Sequence, residues 1–196
     1  MSNTSPFLMM LGVIIVIVVF VGLIGMIIYN SLIDKKNQVQ YAFGNVDVMF
    51  KKRYDLIPNL IDTVKQYVAH ERGLLEKLTV LRTEAIQPNL SSEEKVALDN
   101  RINSALGQIM VVVESYPDLK ASQNFIHLQA SLNEVEEQIS AARRAYNATV
   151  TDYNNGVEMF PSNIVASMMK LKRKKVFEIA VEVERQNVSV NELFWK

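Results

Sequence analysis

Residues able to do chemistry are few in this chain. It has no cysteine and only two histidines, His70 and His127, which excludes disulfides, thiolate metal sites and cysteine nucleophiles. His70-Glu71 opens like the zinc-binding His-Glu-x-x-His helix motif, but Leu74 stands where the second histidine belongs, so the motif fails. No Gly-x-Gly-x-x-Gly, Gly-Lys-Ser/Thr or Gly-x-Ser-x-Gly stretch occurs. Register counting across turns near Pro88 and Pro117 brings His127 level with His70 and Glu71, a two-histidine, one-carboxylate set of the kind that holds a metal. Adjacent residues on a helix point about 100° apart, however, and seldom converge on one ion. The reading adopted is no metal and no cofactor. Glu71 is then a seam carboxylate bonded to Gln108, His127 or Gln129, and His127 is a half-exposed face residue.

Three other polar groupings stand out. Arg53 and Asp55, beside Pro58-Asn59, form either a patch at a helix tip or the ties of a chain reversal, and the second is favoured. Tyr146-Asn147 and Tyr153-Asn154 repeat at seven residues, which places each pair on one helix face as a recognition motif or as core tyrosine with a polar flank. Arg53, Asp55, Asn59, Glu71, Asn147 and Asn154 are accordingly the candidates for an interaction surface or a polar seam. The third grouping is the crowded run Lys170, Lys172, Arg173, Lys174 and Lys175. Basic side chains beside a membrane each gain about 1 kcal/mol from anionic headgroups, so this run is a candidate lipid contact, with a solvated basic face as the alternative.

What positions these residues is a set of helices hung on one apolar stretch. Phe7 to Ile28 contains no charge, amide or proline. At about 1.5 Å per residue such a helix crosses the hydrocarbon core, and only a helix satisfies its own backbone in lipid. Basic residues first appear at Lys35 and Lys36. The positive-inside rule then sets the short N-terminus outside and everything after Asn30 in the cytoplasm. A signal peptide would need a basic leader and a small-residue cleavage site, and neither is present. The remaining residues carry all 21 basic and 21 acidic side chains, and this neutral balance argues against a nucleic-acid binder.

Aliphatic spacing downstream is helical throughout. Leu32, Val39, Phe43, Val46 and Phe50 mark a first helix to about Tyr54. Pro58, which removes a helical hydrogen bond, predicts a reversal near Asp55, with Asp55 as cap and Arg53 and Ile57 near the 112–119 turn. A second helix is expected from Leu56 to about Ile86, and Ser91-x-x-Glu94 is a capping box opening a third. Pro117-Asp118 restarts the chain. Phe125, Leu128, Leu132, Val135, Ile139, Ala142, Tyr146, Thr149 and Tyr153 alternate steps of three and four, the pattern of long helices packed side by side. The expectation is all-α: a transmembrane helix, an antiparallel up-and-down four-helix bundle and a short C-terminal helix. The divisions are a 1–6 leader, a 7–29 span, a 30–160 bundle, a 161–185 basic amphipathic helix and a 186–196 tail.

These residues resemble the LemA family of bacterial membrane proteins. The likeness is carried by Tyr29-Asn30, Lys52 to Leu60 (KRYDLIPNL), Tyr67 with His70-Glu71, Tyr116 to Ala121 (YPDLKA), Arg143-Arg144-x-Tyr146-Asn147, Tyr153-Asn154 and Phe160 to Ile164 (FPSNI). It implies a single N-terminal membrane helix, an antiparallel helical bundle and no established biochemical activity. The C-terminus departs from the family's usual short aromatic ending, with MMKLKRKK at 168–175 and a longer tail. The function expected is a scaffold in the bacterial cytoplasmic membrane, not an enzyme. It would bind proteins and form homo-oligomers, with a regulatory adaptor of a membrane protease or sensor kinase as second reading and a metal-dependent enzyme as third.

Overall fold

The computed structural model describes residues 6–68 and 71–177, and every regular element among them is a helix. In chain order these are α1 (Pro6–Lys65), α2 (Arg72–Ala85), α3 (Ser92–Val113), α4 (Pro117–Lys120), α5 (Gln123–Glu158) and α6 (Ser162–Met168). The described residues divide into two compact units. One holds the chain up to Ala42 together with Ala145–Val176, and the other holds Phe43–Arg144 with Phe177.

In the first unit α1 opens on the apolar stretch, whose side chains from Leu8 onward are exposed. It is a helix long and apolar enough to cross a membrane. Burial then grows along one face: Gly25 and Ile28 are half-buried, and Leu32 and Val39 are buried. The cover includes α5. Gly156 lies so close that a Cβ there would stand 3.1 Å from Lys35 Cδ and 3.3 Å from Leu32 Cδ2. Val39 packs with Val150 and Tyr153. Higher-numbered residues of α5 thus lie against lower-numbered residues of α1.

The expected helix over 161–185 is much shorter. Helix α6 stops at Met168, and Lys170 adopts φ 55°. The Lys170 amide then donates to the Ser167 carbonyl and the Leu171 amide to the Ala166 carbonyl, each at 3.0 Å. This pair of bonds is the Schellman ending, here with lysine where glycine is usual. From Leu171 to Phe177 the chain has no helix. The remainder of that expected helix and the 186–196 tail lie outside the described residues.

The second unit corrects the expected reversal at Asp55. Helix α1 continues through Pro58 to Lys65, and the chain turns after it. Pro58 has no N–H to give the Tyr54 carbonyl four residues back, and an unpaired buried carbonyl is costly. Arg82 of α2 supplies the missing donor, its Nε lying 2.9 Å from the Tyr54 oxygen. Phe50, Arg53, Ile57, Leu60 and Val64 are all buried, so the inward stripe passes the proline in register. Asp55 caps nothing; it is exposed and pairs with Lys51 at 3.0 Å. Arg53 meets the middle of α3 at Asp99, not the 112–119 turn. The expected helix from Leu56 to Ile86 therefore starts only at Arg72.

The other boundaries follow their local chemistry. Ser91 and Glu94 form the capping box, with Ser91 N–H donating to Glu94 Oε2 at 2.8 Å and Glu94 N–H to Ser91 Oγ at 3.2 Å. These bonds hold the Glu94 carboxyl below its ordinary value. Pro117 sits in the first turn of α4, where a missing N–H is harmless. Helices α2 and α3 pack on each other through Leu75, Leu78 and Leu81 on one and Leu98, Ile102, Ala105 and Ile109 on the other, all buried. Phe125, Leu128, Leu132, Val135 and Ile139 of α5 are buried as the spacing requires.

Candidate functional site

The densest polar chemistry lies inside the second unit, where α1, α3 and α5 send side chains to one layer. Asp99 of α3 is at its centre with no exposed surface. Arg53 Nη1 donates to both its oxygens at 3.2 Å, Tyr54 OH donates to Oδ1 at 3.3 Å, and Arg143 Nη2 donates to Oδ2 at 2.9 Å. Arg53 also pairs through Nη2 with Glu136 of α5. The Arg143 guanidinium lies over the rings of Phe50 and Phe177, at 5.5 and 5.3 Å from their centroids, a placement that attracts a cation to the ring face. Lys95–Asp47 at 2.6 Å adds a further tie between α3 and α1.

Burial sets the electrostatics. It pushes the Asp99 carboxyl up from its ordinary value, while Arg53 and Arg143 pull it back. Burial lowers Arg53, which Asp99 supports and Arg143 opposes. Tyr54 is raised by burial and by the Asp99 charge, so its hydroxyl remains a donor. Three donor groups point at one carboxylate and none accepts from it, the arrangement that suits the ionised acid. Its bonds hold α1, α3 and α5 in one register.

Of the sequence candidates, Arg53 belongs to this layer and Asp55 does not. Asn59 is exposed and lines an open cleft of about 420 Å³ with Asp62, His127, Asn124 and Ser131. Glu71 stands at the N-cap position of α2 without a side-chain cap bond, because α1 ends before it; it is not a mid-helix seam residue. His70 lies outside the described residues, and among those described no three His, Asp or Glu gather as metal ligands.

Tyr146, Tyr153 and Asn154 of the repeated Tyr-Asn pairs hold the stretch 172–175 in the first unit. Tyr153 OH donates to the Lys172 carbonyl at 3.1 Å, and Tyr146 OH to the Lys175 carbonyl at 3.5 Å. Asn154, 6% exposed, donates through Nδ2 to the Lys174 carbonyl and accepts from the Lys174 amide, both at 2.9 Å. Asn147 is half-buried, and its carbonyl accepts from Thr151 at 2.9 Å. The basic run is therefore an unwound segment laid along α5 rather than a helix. Arg173 pairs with Glu158 at 3.1 Å, and Lys170 and Lys172 are exposed.

Asp99, Arg82 and Arg143 were not among the site candidates. A signal for Asp99 exists: Asp99, Ile102, Leu106, Ile109 and Val113 step 3-4-3-4 and are all buried, so the aspartate fills an apolar slot.

The class is an all-helical protein whose N-terminal helix is fit to cross a membrane. The chain belongs to the LemA family, whose model matches residues 42–191. Protein LemA of Metamycoplasma hominis is 29% identical over 164 residues, covering 84% of this chain and 74% of that protein. Magnetosome protein MamQ 2 of Paramagnetospirillum magneticum is 26% identical over 175 residues, 76% of this chain and 64% of its own length. Magnetosome protein MamQ of Magnetospirillum gryphiswaldense is 24% identical over 174 residues, with the same shares. The chain thus spans under two thirds of the magnetosome proteins.

Proposed function

We propose that the chain is a membrane-anchored helical scaffold of a bacterial cytoplasmic membrane, with its N-terminus outside and its body in the cytoplasm. It works by binding proteins, copies of itself included, and not by catalysis. In this reading α1 beyond Asn30, α2, α3 and α5 form an antiparallel up-and-down bundle. The order in which α5 residues meet α1, and the short α2–α3 connection, support that arrangement. One observation carries the function: the strongest polar cluster is centred on Asp99, which has no exposed surface. Catalysis needs polar groups that a substrate can reach, whereas a locked layer suits a body whose outer face does the work.

The test is mass and topology of the full chain. In lipid nanodiscs, light scattering should give a multiple of 22.3 kDa; a monomer at every concentration would refute self-association. Because cysteine is absent, single cysteines report cleanly. Asn3→Cys should react with an impermeant thiol reagent on intact cells and Asn100→Cys should not. The reverse pattern would overturn the orientation.

A further inference from the structure

The corner between α5 and α6 leaves large apolar side chains uncovered. Met159 is 61% exposed, Phe160 80% and Ile164 56%. Three large apolar side chains left open at one corner are the kind of patch that marks a contact with something apolar. Its height in the first unit says what. Gly156 touches Leu32 and Lys35 of α1, and α5 residues rise in number as their α1 neighbours fall. Phe160, four residues beyond Gly156 and just past the end of α5, is thus near the end of the Phe7–Ile28 stretch. Packing on α1 already begins there, at half-buried Gly25 and Ile28.

Cations flank the corner on the other side. Lys170 follows α6 directly, and Lys172 lies beside Tyr153. The rest of α5, to Glu158, and the turn after it separate Tyr153 from Phe160. Lys174 and Lys175 are carried further off, since Lys175 lies against Tyr146, about 10 Å further along α5. The order along the unit is apolar corner first, then two exposed lysines, which is the order of acyl chains and phosphates in an acidic leaflet.

We propose that Met159, Phe160 and Ile164 insert into the interfacial layer of the bilayer that α1 crosses, with Lys170 and Lys172 at its anionic phosphates. The chain is then held at a second point as well as by its span. This rests on the reading of α1 as a membrane helix, and the test separates the two.

The full chain would carry Trp195→Phe and one new tryptophan, at Phe160 or at Ile17. It would be reconstituted in vesicles of phosphatidylglycerol and phosphatidylcholine brominated either near the glycerol or near the chain ends. Tryptophan at 160 should be quenched more by the shallow bromines, and tryptophan at 17 more by the deep ones. Adding Lys170→Gln and Lys172→Gln should reduce quenching at 160 on the acidic vesicles and leave that at 17 unchanged. Quenching at 17 without quenching at 160 would overturn the insertion and leave the span standing. A blue-shifted but unquenched tryptophan at 160 would mean a protein covers the corner, which also overturns it. No quenching at 17 would remove the span, and the insertion with it. Unchanged quenching in the lysine variant would overturn the phosphate contacts.

Discussion

The two units bury polar groups in opposite ways. In the second, Asp99 is enclosed by two guanidiniums and a phenol supplied by other helices. In the first, Asn154 is buried against main chain, bonding both polar groups of Lys174. The charged layer ties helices distant in sequence, and every member depends on the others. The neutral clamp ties one short segment, whose groups return to water if it lifts away. Charge therefore belongs to global stability and the amide to local order.

Asp99→Ala should break the comparison most severely. It leaves buried Arg53 and half-buried Arg143 without the Asp99 carboxylate, and removing one partner of a buried pair costs about 3–5 kcal/mol. The midpoint of urea unfolding in nanodiscs reads this; a loss under about 1 kcal/mol, the range of exposed pairs, would mean the layer is hydrated.

Next comes Arg82→Leu, expected to cost about 1–3 kcal/mol by orphaning the Tyr54 carbonyl. Pro58→Ala restores a backbone donor to that oxygen, so the double variant should recover much of the loss. Additive effects in the same unfolding assay would disprove the substitution of donors.

Asn154→Ala should change the melt little. It should instead speed hydrogen exchange at the Lys174 amide, which Asn154 protects. A large fall in global stability would make the clamp part of the cooperative core.

A smaller effect, of opposite sign, is expected of Lys170→Gly. Left-handed backbone disfavours side chains by about 1–2 kcal/mol, partly offset by glycine's freedom when unfolded, for a net gain of about 1 kcal/mol or less.

The smallest concerns an exposed charge in the second unit. Glu94 is lowered from 4.5 by the Ser91 bonds, so its contribution is present above that value and fades as pH falls through its folded pKa. Ser91→Ala should flatten the pH dependence of melting in that range.

Much of this was legible in sequence, and the failures have one cause. The apolar span, the capping box, the restart at Pro117 and the α5 stripe up to Ile139 depend on neighbours within a turn or two. The Asp55 reversal failed because Pro58 was read from its own missing donor, while the replacement comes from Arg82 on another helix. The stripe through Ile57, Leu60 and Val64 already ran on in phase. Glu71 was misplaced by the same error. The Tyr-Asn pairs were ambiguous because their partners are main-chain atoms of 172–175, which have no signature of their own.

The bond between Arg82 and the Tyr54 carbonyl also makes positions 58 and 82 depend on each other unequally. With alanine at 58, that oxygen already has its backbone donor, so an arginine at 82 is close to neutral and free to arise or drift. With proline at 58 and no arginine, the same oxygen is stranded. A proline at 58 thus needs a donor such as Arg82 already in place. The dependence therefore runs one way: with proline at 58 the loss of Arg82 strands the oxygen, whereas proline can give way to alanine without harm to that bond.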